Sequence, residues 1–208
     1  MAEYRLITFC LTDVFLGVSM ALFLKRRFSW KITIAALVFM ELELWLFEYV
    51  CYVNGMGENC YDNILLGRIP VVAVGFFLSE YWDARGLFTA LSGVFYGNLG
   101  GLVVRTIYCL NQSLLLGIAS SVILNVLLLV ILYRDFRPAY WKAQEVYRKE
   151  WVLFSLILIM FITGNYLILG AARGLPIECV RNVIPLLYLL NVFGMIAVSY
   201  THLTLPTK

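Results

Sequence analysis

Apolar residues run along this chain in blocks separated by short polar stretches, each block near the roughly 20 residues that cross a hydrocarbon layer as an α-helix. Seven blocks predict helices at Leu6–Leu24, Ile32–Tyr52, Ile64–Glu80, Gly86–Ile107, Leu114–Tyr133, Trp151–Ala171 and Val183–Val198. The expected fold is therefore an all-α polytopic transmembrane helix bundle of about seven helices, or six if one block fails to span. The first block does not read as a cleaved signal peptide. Only Arg5 precedes it, no small-residue cleavage site follows, and it runs directly into Lys25-Arg26-Arg27.

Alternate loops differ in basic content, which sets orientation through the positive-inside bias. Lys25, Arg26, Arg27, Lys31, Arg85, Arg134, Arg137, Lys142, Arg148 and Lys149 fall in one set, and only Arg105, Arg173 and Arg181 in the other. The richer side is expected to be cytoplasmic, with the N-terminus outside and the seventh helix leading the chain inward. The longest basic segment, Arg134 to Glu150, interleaves Phe136, Tyr140, Trp141 and Tyr147 with its charges. That mixture suits a loop in the lipid headgroup layer, and an ordinary topology-setting loop would look the same.

Composition narrows the function classes. Of 208 residues, 14% are charged and 62% hydrophobic, against about 25% charged in a soluble domain. Seven spans of about 20 residues leave too little chain for a soluble catalytic domain, so this segment is not expected to be an enzyme. The end of the chain breaks the pattern. Val198 to Leu203 resembles the in-frame translation of a transposon-end adapter used in sequencing libraries. The expected division is thus a sensor-like bundle over residues 1–197 and a non-native tail over 198–208, with His202, the single His, outside any natural chemistry. A genuine short tail is the alternative.

No Gly-rich phosphate loop, Cys-x-x-Cys pair or metal-ligand cluster occurs. No metal, cofactor or nucleic acid is expected. The informative residues are ionisable groups within apolar blocks, which are costly in lipid and face the bundle interior or a water-filled cavity. They are Asp13 in the first helix, Glu41, Glu43 and Glu48 in the second, Arg68 in the third and Arg105 in the fourth. Glu48 and Arg68 each lie about four residues, roughly 6 Å, from the outer surface by helical rise, which allows an ion pair. Glu41 and Glu48 are seven apart and share a face with each other but not with Glu43. Asp13 lies at a comparable depth in the first helix, so an acidic strip can face inward. Asp13, Glu41, Glu48, Arg68 and Arg105 are the candidate ligand or polar-network residues.

Thr89, Gly93, Gly97 and Gly101 recur at spacings of four. One face of the fourth helix is therefore bare enough for another backbone to approach closely, whether from within the chain or from a second subunit. Asn125, Asn165 and Asn191 are expected to hydrogen-bond between helices. Cys51, Cys60, Cys109 and Cys179 fall in or beside outward loops, where disulfides and free thiols are both open; a short loop separates Cys51 from Cys60.

Arg68-Ile-Pro-Val-Val-Ala-Val-Gly-Phe-Phe and Arg181-Asn-Val-Ile-Pro-Leu-Leu-Tyr-Leu-Leu-Asn-Val-Phe, with the block topology, resemble the membrane sensor halves of bacterial GHKL-type histidine kinases, best known from peptide-pheromone receptors. The resemblance covers the bundle up to Ala197. It implies a plasma-membrane receptor of a two-component system, homodimeric, with an extracellular signal such as a short peptide and a cytoplasmic kinase domain beyond this segment. The phospho-accepting His and ATP-binding boxes of such a domain are not in this sequence. The competing expectation is the substrate-binding membrane subunit of a vitamin-type transporter, and an accessory membrane protein is a third.

Overall fold

A computed structural model of the chain describes residues 2–54, 60–111, 113–146 and 150–171. The predicted span Val183–Val198 lies outside them, with Cys179, Asn191 and the tail. The described residues form helices α1 (Ala2–Phe23), α2 (Trp30–Val53), α3 (Cys60–Leu78), α4 (Ala84–Asn111), α5 (Leu114–Ile131), α6 (Arg137–Val146) and α7 (Glu150–Ala171), and no strand. Six of these correspond to the first six apolar blocks. The fit is closest where the apolar run ends in turn chemistry: Ser113 caps α5 by accepting a hydrogen bond from the Leu116 amide.

Two departures matter. α3 begins at Cys60, four residues before its apolar block, because helix continues through the polar Cys-Tyr-Asp-Asn stretch. Arg68 is consequently eight residues, or about 12 Å at 1.5 Å per residue, from the start of its helix. The expected loop is helical from Arg134 to Val146. α5 continues through a π-helical turn, Leu132–Phe136, into α6. Pro138 lacks the amide that would close the regular ladder and its ring crowds the preceding turn. The helix widens just before it, and the Arg137 amide donates to the Leu132 carbonyl five residues back. The resulting helix, Leu114–Val146, is 33 residues long and is the one helix among the described residues that is long and apolar enough to cross a membrane by length and composition.

α1 and α4 form the centre. α1 packs against α2, α4, α5 and α6, and α4 against α1, α3, α5 and α7. Leu16 and Met20 of α1 are fully buried, joined by Met40 of α2, Val71 of α3, Val94 of α4 and Trp151 of α7. Phe88, Tyr140, Trp151 and Phe154 interlock edge-on and stacked, tying α4, α6 and α7 into one aromatic cluster. The outward faces are also apolar. Phe39 on α2, Leu115 on α5 and Met160 on α7 are 70%, 79% and 74% exposed, within long rows of similar residues.

Candidate functional site: a buried charge cluster and its link to the basic end

Asp13 is fully buried on α1, and its Oδ1 accepts a hydrogen bond and ion pair from Nη1 of Arg68 on α3, itself 6% exposed. The partner of Arg68 in this ion pair is thus Asp13 rather than the expected Glu48. Glu48 is close to Asp13 nonetheless, its Oε2 buried without a hydrogen-bond partner. Glu41 reaches α1 one turn further on, where its carboxyl lies against Gly17 in the space a β-carbon would occupy. Both Glu41 oxygens are buried without a hydrogen-bond partner.

Four of the five expected polar residues therefore meet between α1, α2 and α3. Three carboxyls surround one guanidinium. Full ionisation would leave two uncompensated negative charges where the Coulomb energy is only weakly screened. The Arg105 side chain, the fifth, lies outside the described residues. Glu43 is exposed on the opposite face of α2, as its position predicts. Gly17 and the free thiol of Cys10, close to Asp13 and Glu48, were not among the expected site residues. Gly17 follows Asp13 by four on the same helical face, and that spacing was the available signal.

Beside the cluster, a cavity of about 420 Å³ opens between α3, α4 and α7. Its wall is almost wholly apolar, including Phe76, Leu91 and Ile162, and Arg68 is the charged residue in it. Arg68 thus lines the cavity and also holds the ion pair of the cluster.

The glycine seam is intrachain as far as it is described. A β-carbon on Gly93 would lie 2.9 Å from Met20 Cβ, and one on Gly97 2.5 Å from Leu16 Cβ and 2.8 Å from Leu16 Cα. α1 is seated on these two glycines. Gly101 is in α4, but its surroundings are not among those described. Thr89 has a different role, its Oγ1 meeting Tyr140 Oη at 2.7 Å, accepting from Gln144 Nε2 at 3.0 Å and donating to the Arg85 carbonyl. Asn125 donates to Ser121 of its own helix, at the carbonyl and at Oγ, in place of the expected interhelical bond. The Asn165 side chain lies outside the described residues. Cys51 is a buried free thiol, and the Cys60 side chain lies outside the described residues.

At the far end of α1 the basic segments converge. The α1–α2 and α3–α4 connections are bonded backbone to backbone, Arg27 N to Leu78 O at 3.1 Å and Glu80 N to Lys25 O at 2.8 Å. α6 docks onto this junction. Trp141 Nε1 donates to the Phe23 carbonyl, and Arg85, which also grips Asp83, donates to the Gln144 carbonyl. Lys25 donates to Tyr81 Oη at 3.0 Å and to Glu145 at 3.1 Å. These two bonds hold its ammonium well above the ordinary lysine range. α1 thereby links Asp13, in the charge cluster, to Phe23, against α6, across ten residues or about 15 Å of helix.

Comparison with protein-family models, with curated proteins and with solved structures returns no match.

Proposed function

We propose that this chain is the membrane-embedded sensing bundle of a bacterial receptor of the sensor-kinase type, and that the Asp13–Arg68 cluster is its switch. The single observation that carries the reading is the shared position of Arg68, in the wall of an apolar cavity and in the buried ion pair. A ligand entering the cavity would press on the Arg68 side chain and, through it, on that pair. Its effect has a route outward: α1 carries Asp13 at its middle and holds α6 through Phe23 at its C-terminal end. Rearranging one buried pair among three carboxyls offers two bundle states of similar free energy, which is what a ligand-biased switch requires.

The membrane setting is supported by the long apolar helix and by the rows of exposed Leu, Ile, Val and Phe on α2, α5 and α7. Apolar surface of that extent is rare on a soluble monomer. In this reading the junction of Lys25, Arg85 and α6 faces the cytoplasm.

Signalling by the full-length receptor tests the proposal. Arg68→Ala should fix output in one state, insensitive to the signal, while surface expression persists. Unchanged signalling at unchanged expression would remove the cluster from the mechanism. Extending the source reading frame past Ala197 tests the receptor class, which requires a cytoplasmic helix with a phospho-accepting His.

A transporter is the second reading, favoured by Glu41, whose buried carboxyl lies in a niche made by Gly17 and makes none of the ion pairs among the described residues. A bound proton or cation would supply the missing charge. Signal-independent uptake of a small solute by proteoliposomes, abolished by Glu41→Gln, would favour transport over sensing.

A further inference from the structure

We propose that the junction between α1 and α2 is a binding site for the headgroup of an anionic phospholipid, with Arg26 as its principal phosphate ligand. A second cavity, of about 410 Å³, opens there, walled by Lys25, Arg26, Trp30 and Trp141 among others. Unlike the cavity beside Arg68, it is bounded by cationic and indole groups, the combination that sits in the headgroup layer.

The two cations are not equivalent. Lys25 is engaged by Tyr81 and Glu145 and lies 3.8 Å from Glu80, so its charge is largely answered within the fold. Arg26 is exposed and rests on the Trp30 ring, its guanidinium carbon 4.8 Å from the centroid. Stacking fixes the plane of the guanidinium and leaves its N–H edge available, the arrangement that suits bidentate contact with phosphate. Among the described residues the ion pairs are made by Lys25, Arg68, Arg85 and Arg134, and none involves Arg26. Next to the cavity, Arg137 stacks on Trp141 at 4.1 Å, and its buried Nε has no acceptor. The start of α2 adds favourable polarity, because Ser29 makes no side-chain cap and the first turn holds no acidic residue.

The surface adjoining the cavity makes the occupant a lipid rather than a free phosphate compound. Trp30, Ile34 and Val38 stand at successive intervals of four on α2, and are 49%, 40% and 52% exposed. They form an apolar track leading from the cavity mouth along the helix, one turn per residue. A headgroup held by Arg26 would place its acyl chains on that track. A small phosphorylated solute would leave it uncovered.

The inference rests on the proposed membrane setting, and one experiment separates the two. The full chain is reconstituted in nanodiscs of mixed phosphatidylglycerol and phosphatidylcholine, and retained lipid is counted by native mass spectrometry after detergent release. Wild type should retain phosphatidylglycerol in preference. Arg26→Gln should reduce that preference about fivefold, as expected for about 1 kcal/mol per basic residue at a membrane surface, and Arg26→Glu should abolish it. Arg134→Gln is the control, a basic side chain 82% exposed and outside the cavity, and should have little effect. Circular dichroism establishes that each variant retains its helices. Equal losses from Arg26→Gln and Arg134→Gln would reduce the effect to diffuse surface charge and overturn the site. So would absence of lipid preference in wild type, or full displacement by millimolar glycerol phosphate. A chain that fails to enter nanodiscs would overturn the membrane setting and the site with it.

Discussion

Gly97→Ala probes the contact on which the bundle is centred. The new methyl would sit 2.5 Å from Leu16 Cβ, 2.8 Å from Leu16 Cα and 3.0 Å from Leu16 N, against the roughly 3.5–4.0 Å of a relaxed carbon–carbon contact. Two of the obstructing atoms are backbone, so no rotamer change relieves the clash and α1 must move away by about 1 Å. Overpacking of this kind costs about 1–3 kcal/mol. Alanine also gains about 1 kcal/mol over glycine in a helix, which would mask part of the loss. Gly164→Ala on α7 supplies the correction, because a methyl there meets nothing within 4 Å. The propensity gain is common to both substitutions. Their difference therefore reports the steric term alone, and Gly97→Ala should be less stable than Gly164→Ala by about 1–3 kcal/mol. Reversible unfolding in mild detergent, followed by circular dichroism against denaturant, measures that difference. Equal stability of the two variants would show that α1 is not seated on Gly97.

Three further outcomes follow from other parts of the fold. Tyr140→Phe removes the buried hydroxyl bonded to Thr89 and should cost about 1 kcal/mol; if Thr89→Val abolishes the effect of the second substitution, the two hydroxyls act as a pair. Trp151→Ala empties the centre of the aromatic cluster, where the indole is fully buried, and should cost about 3–5 kcal/mol by the same unfolding assay. Lys25→Gln should cost less than about 1 kcal/mol, since its partners Glu80 and Glu145 are about half exposed or more; a larger loss would mark the junction as a stronger clamp than its exposure implies.

Much of the helical order was legible because burial in this chain is written as long apolar runs, and those runs end near helix ends. The parts that were not legible have physical causes. α6 contains Lys142, Glu145 and Pro138 and so reads as a loop at the headgroup layer. Its buried residues Tyr140, Ala143 and Gln144 recur at helical spacing, and that was the missed signal. Asp13, Glu41, Glu48 and Arg68 were identifiable individually, because charge within an apolar block is conspicuous. Which carboxylate pairs with Arg68 depends on how three helices pack side by side, which spacing along one helix does not specify. Gly93 and Gly97 announced a close approach but not its partner, since Leu16 and Met20 are ordinary apolar residues in sequence. The basic segments were expected to share one side, and the loops at Lys25 and Arg85 do meet α6 at one end of the bundle.

The Asp13–Arg68 pair is the claim from which the account of the site proceeds, and a double-mutant cycle measures it. Arg68→Met leaves the buried carboxyls without their cation and should cost about 3–5 kcal/mol, whereas Asp13→Asn leaves Glu41 and Glu48 near Arg68 and should cost less. The double variant removes both charges and should be more stable than the sum of the two losses predicts, by about 2 kcal/mol or more. Losses that add to within about 0.5 kcal/mol would contradict the pairing of these two residues in the folded protein.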